Sequence, residues 1–490
     1  MALLLLLAGL FKSHRRLRSH KQAALAQFSS SLSDGYHTQI FTTASLPWKT
    51  GTAINALLRA ASLATRGMNV TLTLPWLHPQ EQAIVFPKGT TFSTPDEQES
   101  YVREWLAERD GNHAPFEIRF YPARYDLERG SILPLGDSTR WMSRSAGDLY
   151  HLGTNWREAF KLVVGVVHTN YLSYARMYQP GGVAALRRIN QMVCRAYCDR
   201  LIKLSDSLQE LPRSMVCNVH GVRSEFIEIG RRAAEPMHVF TEGAYFIGKI
   251  LWAKGYRRLI DYLAQEVASG ETPTPIAIYG PTHGDDFEQV EAAAIQANLA
   301  FRFCGGSDHA DEAIQAYKTE VLSTTTAEAL AMGKFVLIQR HESNAFFARF
   351  SNTLFFDTAD EFLDVLRFAL ASTPAPLTED EIYELSWAGA TDRFCDAIAL
   401  CAKQAKPQTV PDQLLASLFA FFCNGGYTGD LMRYISGGGP ITRQRWLHHE
   451  RRYRNGASVV EVVEKSVKHM PSPSEVQLQA ISERNVRTRA

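Results

Sequence analysis

The chain runs to 490 residues with 45% hydrophobic content, enough for two ordinary domains plus tails, each burying its own core. Lysine and arginine number 52 against 51 aspartates and glutamates, so no global basic field exists and extended nucleic-acid binding has no electrostatic support. Seven cysteines are few for this length, and the tight pair Cys194 and Cys198 sits at helical spacing; they read as reduced thiols, with neither a disulfide framework nor a zinc site.

Residues 1–36 open with MALLLLLAGLFKSHRRLRSHK, an apolar run of about ten residues, too short to span a bilayer as a helix. Its positive charge follows the apolar run, the reverse of a secretory signal, which leaves an interfacial or targeting anchor or a frayed start. From residue 37 the pattern changes. QIFTTAS predicts a buried strand, TGTAINALLRAASLATRG places Ile54, Leu57, Leu58 and Ala61 at helical spacing up to Gly67, and MNVTLTLPW returns as a strand. That order opens a doubly wound sheet. KLVVGVVHTNY and RLIKLSDS predict later strands, with GGVAALRRINQMVCRAYCD as the helix between them.

The first alternation covers 37–232; a polar linker, GRRAAEPMH, precedes a second over 233–385. AYFIGKI, TPIAIYG, LAFRFCG and KFVLIQR predict four strands, separated by helices such as YRRLIDYLAQEVA and FEQVEAAAIQAN. The expected fold class is therefore α/β, with two Rossmann-like doubly wound domains facing a central cleft. A helix over 386–402 is expected to pack back on the N-terminal domain, and 403–490 reads as a poorly defined tail.

Ligands of doubly wound domains sit at the carboxyl ends of strands, and the chemistry-bearing candidates cluster there. FIGKILWAKG brings Lys249 and Lys254 about one helical turn apart between Gly248 and Gly255, which reads either as two solvated lysines or as a cationic seat for a pyrophosphate. AIYGPTHGDD offers Gly280 in a turn where a ligand can approach the backbone. Asp285 and Asp286 read as helix-start residues before they read as a metal pair, so no metal is expected.

TEVLSTTTAEALAMGKF places Glu320 in a loop and Glu328 in the first turn of a helix, with hydroxyls from Ser323 to Thr326 between them. The two carboxylates could accept from vicinal sugar hydroxyls; equally, Glu328 could complete a capping box with the hydroxyl run. His168 ends an apolar strand, either as a satisfied buried histidine or aimed at the cleft. Gly51, after Lys49, offers backbone N–H groups at a helix start to an oxygen-rich ligand. Seven basic residues from Arg443 to Arg454, counting His448 and His449, present either a solvated face or a contact for an anionic lipid surface.

Taken together, Gly248-Lys249 through Lys254-Gly255 and the Glu320 to Glu328 pair resemble the family 4 glycosyltransferases of GT-B architecture, whose donor domain carries a G-[KR]-x4-K-G turn and an E-x7-E motif. Segments such as TTASLPWKTGTAINALLRAA, VVGVVHTNYLSYAR, GGSDHADEAIQAYK and ELSWAGATDRF resemble its galactolipid-synthesising branch, from about residue 37 to about 400. The resemblance implies transfer of galactose from UDP-galactose to monogalactosyldiacylglycerol with the α configuration kept, no metal and no other cofactor, at the outer envelope membrane of chloroplasts. It implies Lys249 and Lys254 on the pyrophosphate, Glu328 and Thr326 at the nucleoside, Glu320 and His168 near the galactose, and Gly51, Gly248 and Gly280 against the donor.

The chain departs from that pattern twice. An apolar strand and a Pro-Ser turn are expected before Glu320, yet AIQAYK runs directly into Thr319; a second strand and its acidic loop are missing around AGDLYHLGTNW. Each loss shortens a crossover that needs a dozen or so residues.

Overall fold

The computed structural model describes residues 37–415 except 111–113, 127–130, 136–137, 143–155, 157–159, 169–171, 173–182, 324 and 406–408, together with 458–467. The expected anchor over 1–36, the basic segment 443–454 and all of AGDLYHLGTNW but Trp156 lie outside the described residues. The chain divides into two compact units, the first made of Met1–Leu106, His113–Val219 and Asp392–Ser472, the second of Ala107–Asn112, His220–Thr391 and Pro473–Ala490. Among the described residues no helix is long and apolar enough to cross a membrane.

The first unit opens as its periodicity predicts. Strand β1 (His37–Phe41) leads to the helix Gly51–Thr65, whose Leu57, Leu58 and Ala61 are buried, and to strand β2 (Asn69–Trp76), parallel to β1. Thr50 starts the helix by accepting from the Ala53 N–H at 3.3 Å. Strands β3 (Glu117–Asp126) and β4 (Ser131–Pro134), which the sequence reading passed over, extend this sheet to the order β1-β2-β3-β4, the last pair antiparallel.

Strands β5 (Val164–Val167), β6 (Arg200–Lys203) and β7 (Ser214–Val216) form a separate parallel sheet of three. Among the described residues no strand joins β1 to β5, so the parallel Rossmann-like elements of this half fall in two sheets. Ala397, Ile398 and Cys401 of the helix Trp387–Gln404 bury themselves with Ile202 and Val219 of the three-stranded side.

The second unit is a parallel sheet of six. Strands β8 (Glu242–Ile247), β9 (Ile276–Tyr279), β10 (Phe301–Gly305), β11 (Tyr317–Val321), β12 (Phe335–Gln339) and β13 (Thr353–Phe356) pair in the order β10-β9-β8-β11-β12-β13. Counted within the unit this is third, second, first, fourth, fifth, sixth, the doubly wound order in which the direction of winding reverses between the first and fourth strands. One face packs Ala244, Phe246 and Val321 against Leu259 and Leu263 of the helix Tyr256–Ala268 and against Phe362 and Leu366 of the helix Ala359–Ala371. On the other face, Phe226 and Ile229 of the helix Ser224–Ala233 pack against Ala329 to Met332 and Val336.

Two strands of this sheet escaped the sequence reading, β11 and β13. The first matters more, because it answers the missing strand: YKTEV itself forms β11. Glu320 pairs in register with Tyr245 of β8 and Val336 of β12, so the residue expected in a loop stands inside the sheet. Lys334 helps to hold the strand's entry. Its buried ammonium donates to the carbonyls of Ile314 at 2.9 Å and Gln315 at 3.1 Å and to that of Tyr317, closing the chain at the point where β11 begins.

Candidate active site

Doubly wound sheets receive their ligands at the carboxyl ends of the strands where the winding reverses, here between β8 and β11, and most of the sequence-predicted residues of the second unit arrive there. The turn after β8 carries Gly248 and Lys249, then a short 3-10 turn, Trp252–Lys254, and Gly255 at φ 97° leading into the helix Tyr256–Ala268. A left-handed residue at this start suits glycine, and a Cβ there would sit 3.8 Å from Leu322 Cδ1, so the lysine turn and the loop after β11 are neighbours. Gly280, after β9, is pressed on the same region: a Cβ would fall 2.2 Å from the Gly248 carbonyl oxygen. Its N–H donates to the Gly305 carbonyl at 2.8 Å, and that of Gly248 to the Tyr279 carbonyl at 2.9 Å, which ties the ends of β8, β9 and β10 together.

Lys249 and Lys254 are half-buried, and neither forms an ion pair among the described residues. Burial, with Lys254 close by, pushes Lys249 down to about 8; burial also lowers Lys254. Two desolvated ammonium groups without a carboxylate favour whatever anion would complete them. Asp285 and Asp286 are not that partner: they occupy the first turn of the helix Asp285–Gln296, the end its dipole favours.

The carboxylate side is built differently. Glu320 is 0% exposed, and both its oxygens are taken, Oε2 by the Ser323 hydroxyl at 2.6 Å and Oε1 by the Thr325 hydroxyl at 2.8 Å. Burial raises its carboxyl above the usual range; Glu328 adds to the rise, while His309 and the two hydroxyls oppose it. Two expectations are corrected here. Glu320 is a strand residue, not a loop residue, and its two oxygens hold the hydroxyls of the loop after β11. Nor does Glu328 complete a capping box, because Thr325 spends its hydroxyl on Glu320 and makes no cap bond to the helix Thr326–Ala331.

Glu328 instead lies with Oε2 2.8 Å from His309 Nδ1, and His309 Nε2 is 2.7 Å from the Tyr245 hydroxyl. Thr326, buried at the helix start, donates to the Ser323 carbonyl at 3.3 Å. His309, Tyr245 and Lys334 were not singled out in the sequence. The polar DHAD run after the strand LAFRFCG was the available signal for His309; Tyr245 and Lys334 carry none, since a tyrosine in a strand and a lysine before one are ordinary.

The first unit holds the remaining candidates. His168 directly follows β5; burial, with Arg59 nearby, pushes it down to about 4, so the imidazole is neutral at physiological pH. Gly51 is exposed at the first position of its helix, with Asn55 Nδ2 as the nearest atom to an added Cβ at 3.6 Å. The structure therefore gathers Gly248, Lys249, Lys254, Gly280, Glu320, Thr326 and Glu328 in one unit and leaves Gly51 and His168 in the other.

A doubly wound unit with two lysines that form no ion pair among the described residues, in the turn after the first strand at its switch point, has the arrangement by which such folds receive phosphate-bearing ligands. Comparison with known proteins narrows this. No family model matches the chain. It is 45% identical over 385 residues to digalactosyldiacylglycerol synthase 1, chloroplastic, of Arabidopsis thaliana, covering 74% of this chain and 47% of that protein. To digalactosyldiacylglycerol synthase 2, chloroplastic, of the same plant it is 44% identical over 386 residues, covering 73% of this chain and 80% of that protein. The chain belongs to the digalactosyldiacylglycerol synthase family. It spans about half the length of the synthase 1 relatives. Among solved structures, the lipopolysaccharide outer core galactosyltransferase WaaB in its apo form matches 74% of this chain and 99% of its own at 12% identity, with a TM-score of 0.39.

Proposed function

We propose that this chain transfers galactose from UDP-galactose to monogalactosyldiacylglycerol, keeping the α configuration and forming a digalactosyl lipid. The observation that carries the reading is the pair of half-buried lysines that form no ion pair among the described residues, in the turn after β8 whose Gly255 adjoins the loop after β11. In the reaction the bond from the galactose anomeric carbon to the β-phosphate oxygen breaks, and its electron pair leaves on UDP. Lys249 and Lys254 are suited to that growing charge, supported by the uncapped start of the helix Tyr256–Ala268. No metal is required where side-chain cations supply the charge. Glu328 takes the ribose hydroxyls, with Thr326 beside it, and Gly248 and Gly280 let the donor lie against the backbone. Within the first unit, neutral His168 is suited to a sugar hydroxyl and Gly51 to a phosphate oxygen. Glu320 acts from below, as a brace for the loop that carries Thr325.

Family membership also favours a chloroplast membrane surface, and the outer envelope in particular, as the place of action; the acceptor is itself a membrane lipid. One observation favours a second reading, a chain that binds the nucleotide sugar without transferring it: among the described residues no strand joins β1 to β5 in the first unit. Incubating purified protein with labelled UDP-galactose and vesicles of monogalactosyl lipid separates the two. A digalactosyl product is expected. Folded protein that is stabilised by UDP yet forms no product would establish the second reading in place of the first.

A further inference from the structure

Glu328 has one engaged oxygen and one open one. Oε2 faces His309, while Oε1 has no hydrogen-bond partner among the described residues and the side chain is 36% exposed. His309 is itself buried, its ring 5.8 Å from those of both Phe226 and Tyr245. Its loop is laced in place: the Asp308 N–H donates to Asp311 Oδ2 at 3.0 Å, and Arg223 donates to Asp308 Oδ1 at 3.0 Å.

The proton inventory leaves one arrangement for an ionised Glu328. A carboxylate only accepts, so Nδ1 carries hydrogen and donates to Oε2; in a neutral imidazole Nε2 then accepts, and the Tyr245 hydroxyl donates to it. Burial, with Glu320 and Glu328 nearby, raises Tyr245 well above the usual phenol range, so it keeps the proton this chain needs. Tyr245 stands on a central strand, at 0% exposure. The chain Tyr245–His309–Glu328 therefore runs from the rigid middle of the sheet to a carboxylate at the crevice.

We propose that His309 is a positioning residue, which fixes the Glu328 carboxylate with its free oxygen toward the donor, and that Tyr245 sets the histidine tautomer. The proposal rests on the reading of Glu328 as acceptor of the ribose hydroxyls. A carboxylate pinned through one oxygen loses little further freedom on gripping a diol, so the histidine contributes to donor affinity without touching the donor.

The test uses calorimetric titration of the full chain with UDP and with 2′,3′-dideoxyuridine diphosphate, which lacks the hydroxyls. Wild type is expected to prefer UDP. His309→Ala should weaken UDP binding about tenfold, the loss of one hydrogen bond to a charged group, and leave the dideoxy analogue unchanged. His309→Asn, whose amide donates from near the Nδ1 position, should restore most of the preference. In turnover the loss should appear in KM rather than kcat. A merely structural role would weaken both ligands together. Should His309→Ala fail to fold in a thermal melt, Tyr245→Phe carries the same test with an effect of about threefold.

Undiminished preference for UDP in these variants would overturn the role of His309 while leaving Glu328 on the ribose. A wild type that binds both ligands alike would overturn the ribose reading itself, and the proposal with it.

Discussion

In the second unit β11 stands beside β8, the first strand of its sheet; in the first unit the place beside β1, also a first strand, has no strand among the described residues. YKTEV fills its place because Lys334 and the neighbouring strands accept it: β8 and β12 lie ready on either side, and Val321 enters an existing core. In the first unit the described strands fall into sheets of four and three. A strand can be improvised from five residues where two formed neighbours supply its hydrogen bonds.

The improvisation carries a visible cost. Thr319 is fully buried in β11, and its hydroxyl has no hydrogen-bond partner among the described residues. Glu320, next to it, holds a carboxylate in the interior. The second unit accepts both and keeps its switch point.

The comparison can be broken most sharply at the improvised strand. Thr319→Pro removes a ladder N–H from a central strand, and the second unit is expected to lose cooperative melting and all UDP binding; a variant that still binds UDP would show that β11 is dispensable. Hydrogen exchange sharpens the contrast without mutation. Among the described residues His37–Phe41 and Val164–Val167 each pair on one side, so their amides should exchange about a hundredfold faster than those of Tyr317–Val321, and equal protection would contradict the division of the first unit's sheet.

Within the intact unit, Lys254→Ala should lower turnover about a hundredfold, the usual scale for one charge-stabilising group, while the fold survives. UDP affinity should fall as the pH rises. The free protein holds Lys249 near 8, binding of a diphosphate favours the ammonium, and each pH unit above that value should cost up to about tenfold in affinity. A flat profile from pH 7 to 10 would remove Lys249 from the donor. The smallest effect belongs to the cost of improvisation: Thr319→Val deletes the orphaned hydroxyl at constant shape and should stabilise the second unit by about 1 kcal/mol in chemical unfolding.

Much of the site was legible because it is local. Apolar periodicity placed the helices at Gly51–Thr65 and Tyr256–Ala268, and the lysines of GKILWAKG fall at a strand end by their position in the alternation. The improvised strand was not legible, since five residues containing Lys318 and Glu320 carry no strand pattern until β8 and β12 flank them. His309 was hidden for a similar reason. It meets Glu328 across 19 positions of chain and Tyr245 across 64, distances over which no periodicity speaks.

The sequence by itself determined the α/β alternation, the family, and the lysine and glutamate types that reach the crevice, because each depends on local spacing and residue chemistry. Only the tertiary structure decided that Glu320 lies inside the sheet, that Thr325 braces it instead of capping a helix, and that His309 holds Glu328. Those outcomes turn on which strand pairs with which, and burial then sets which polar groups must find one another.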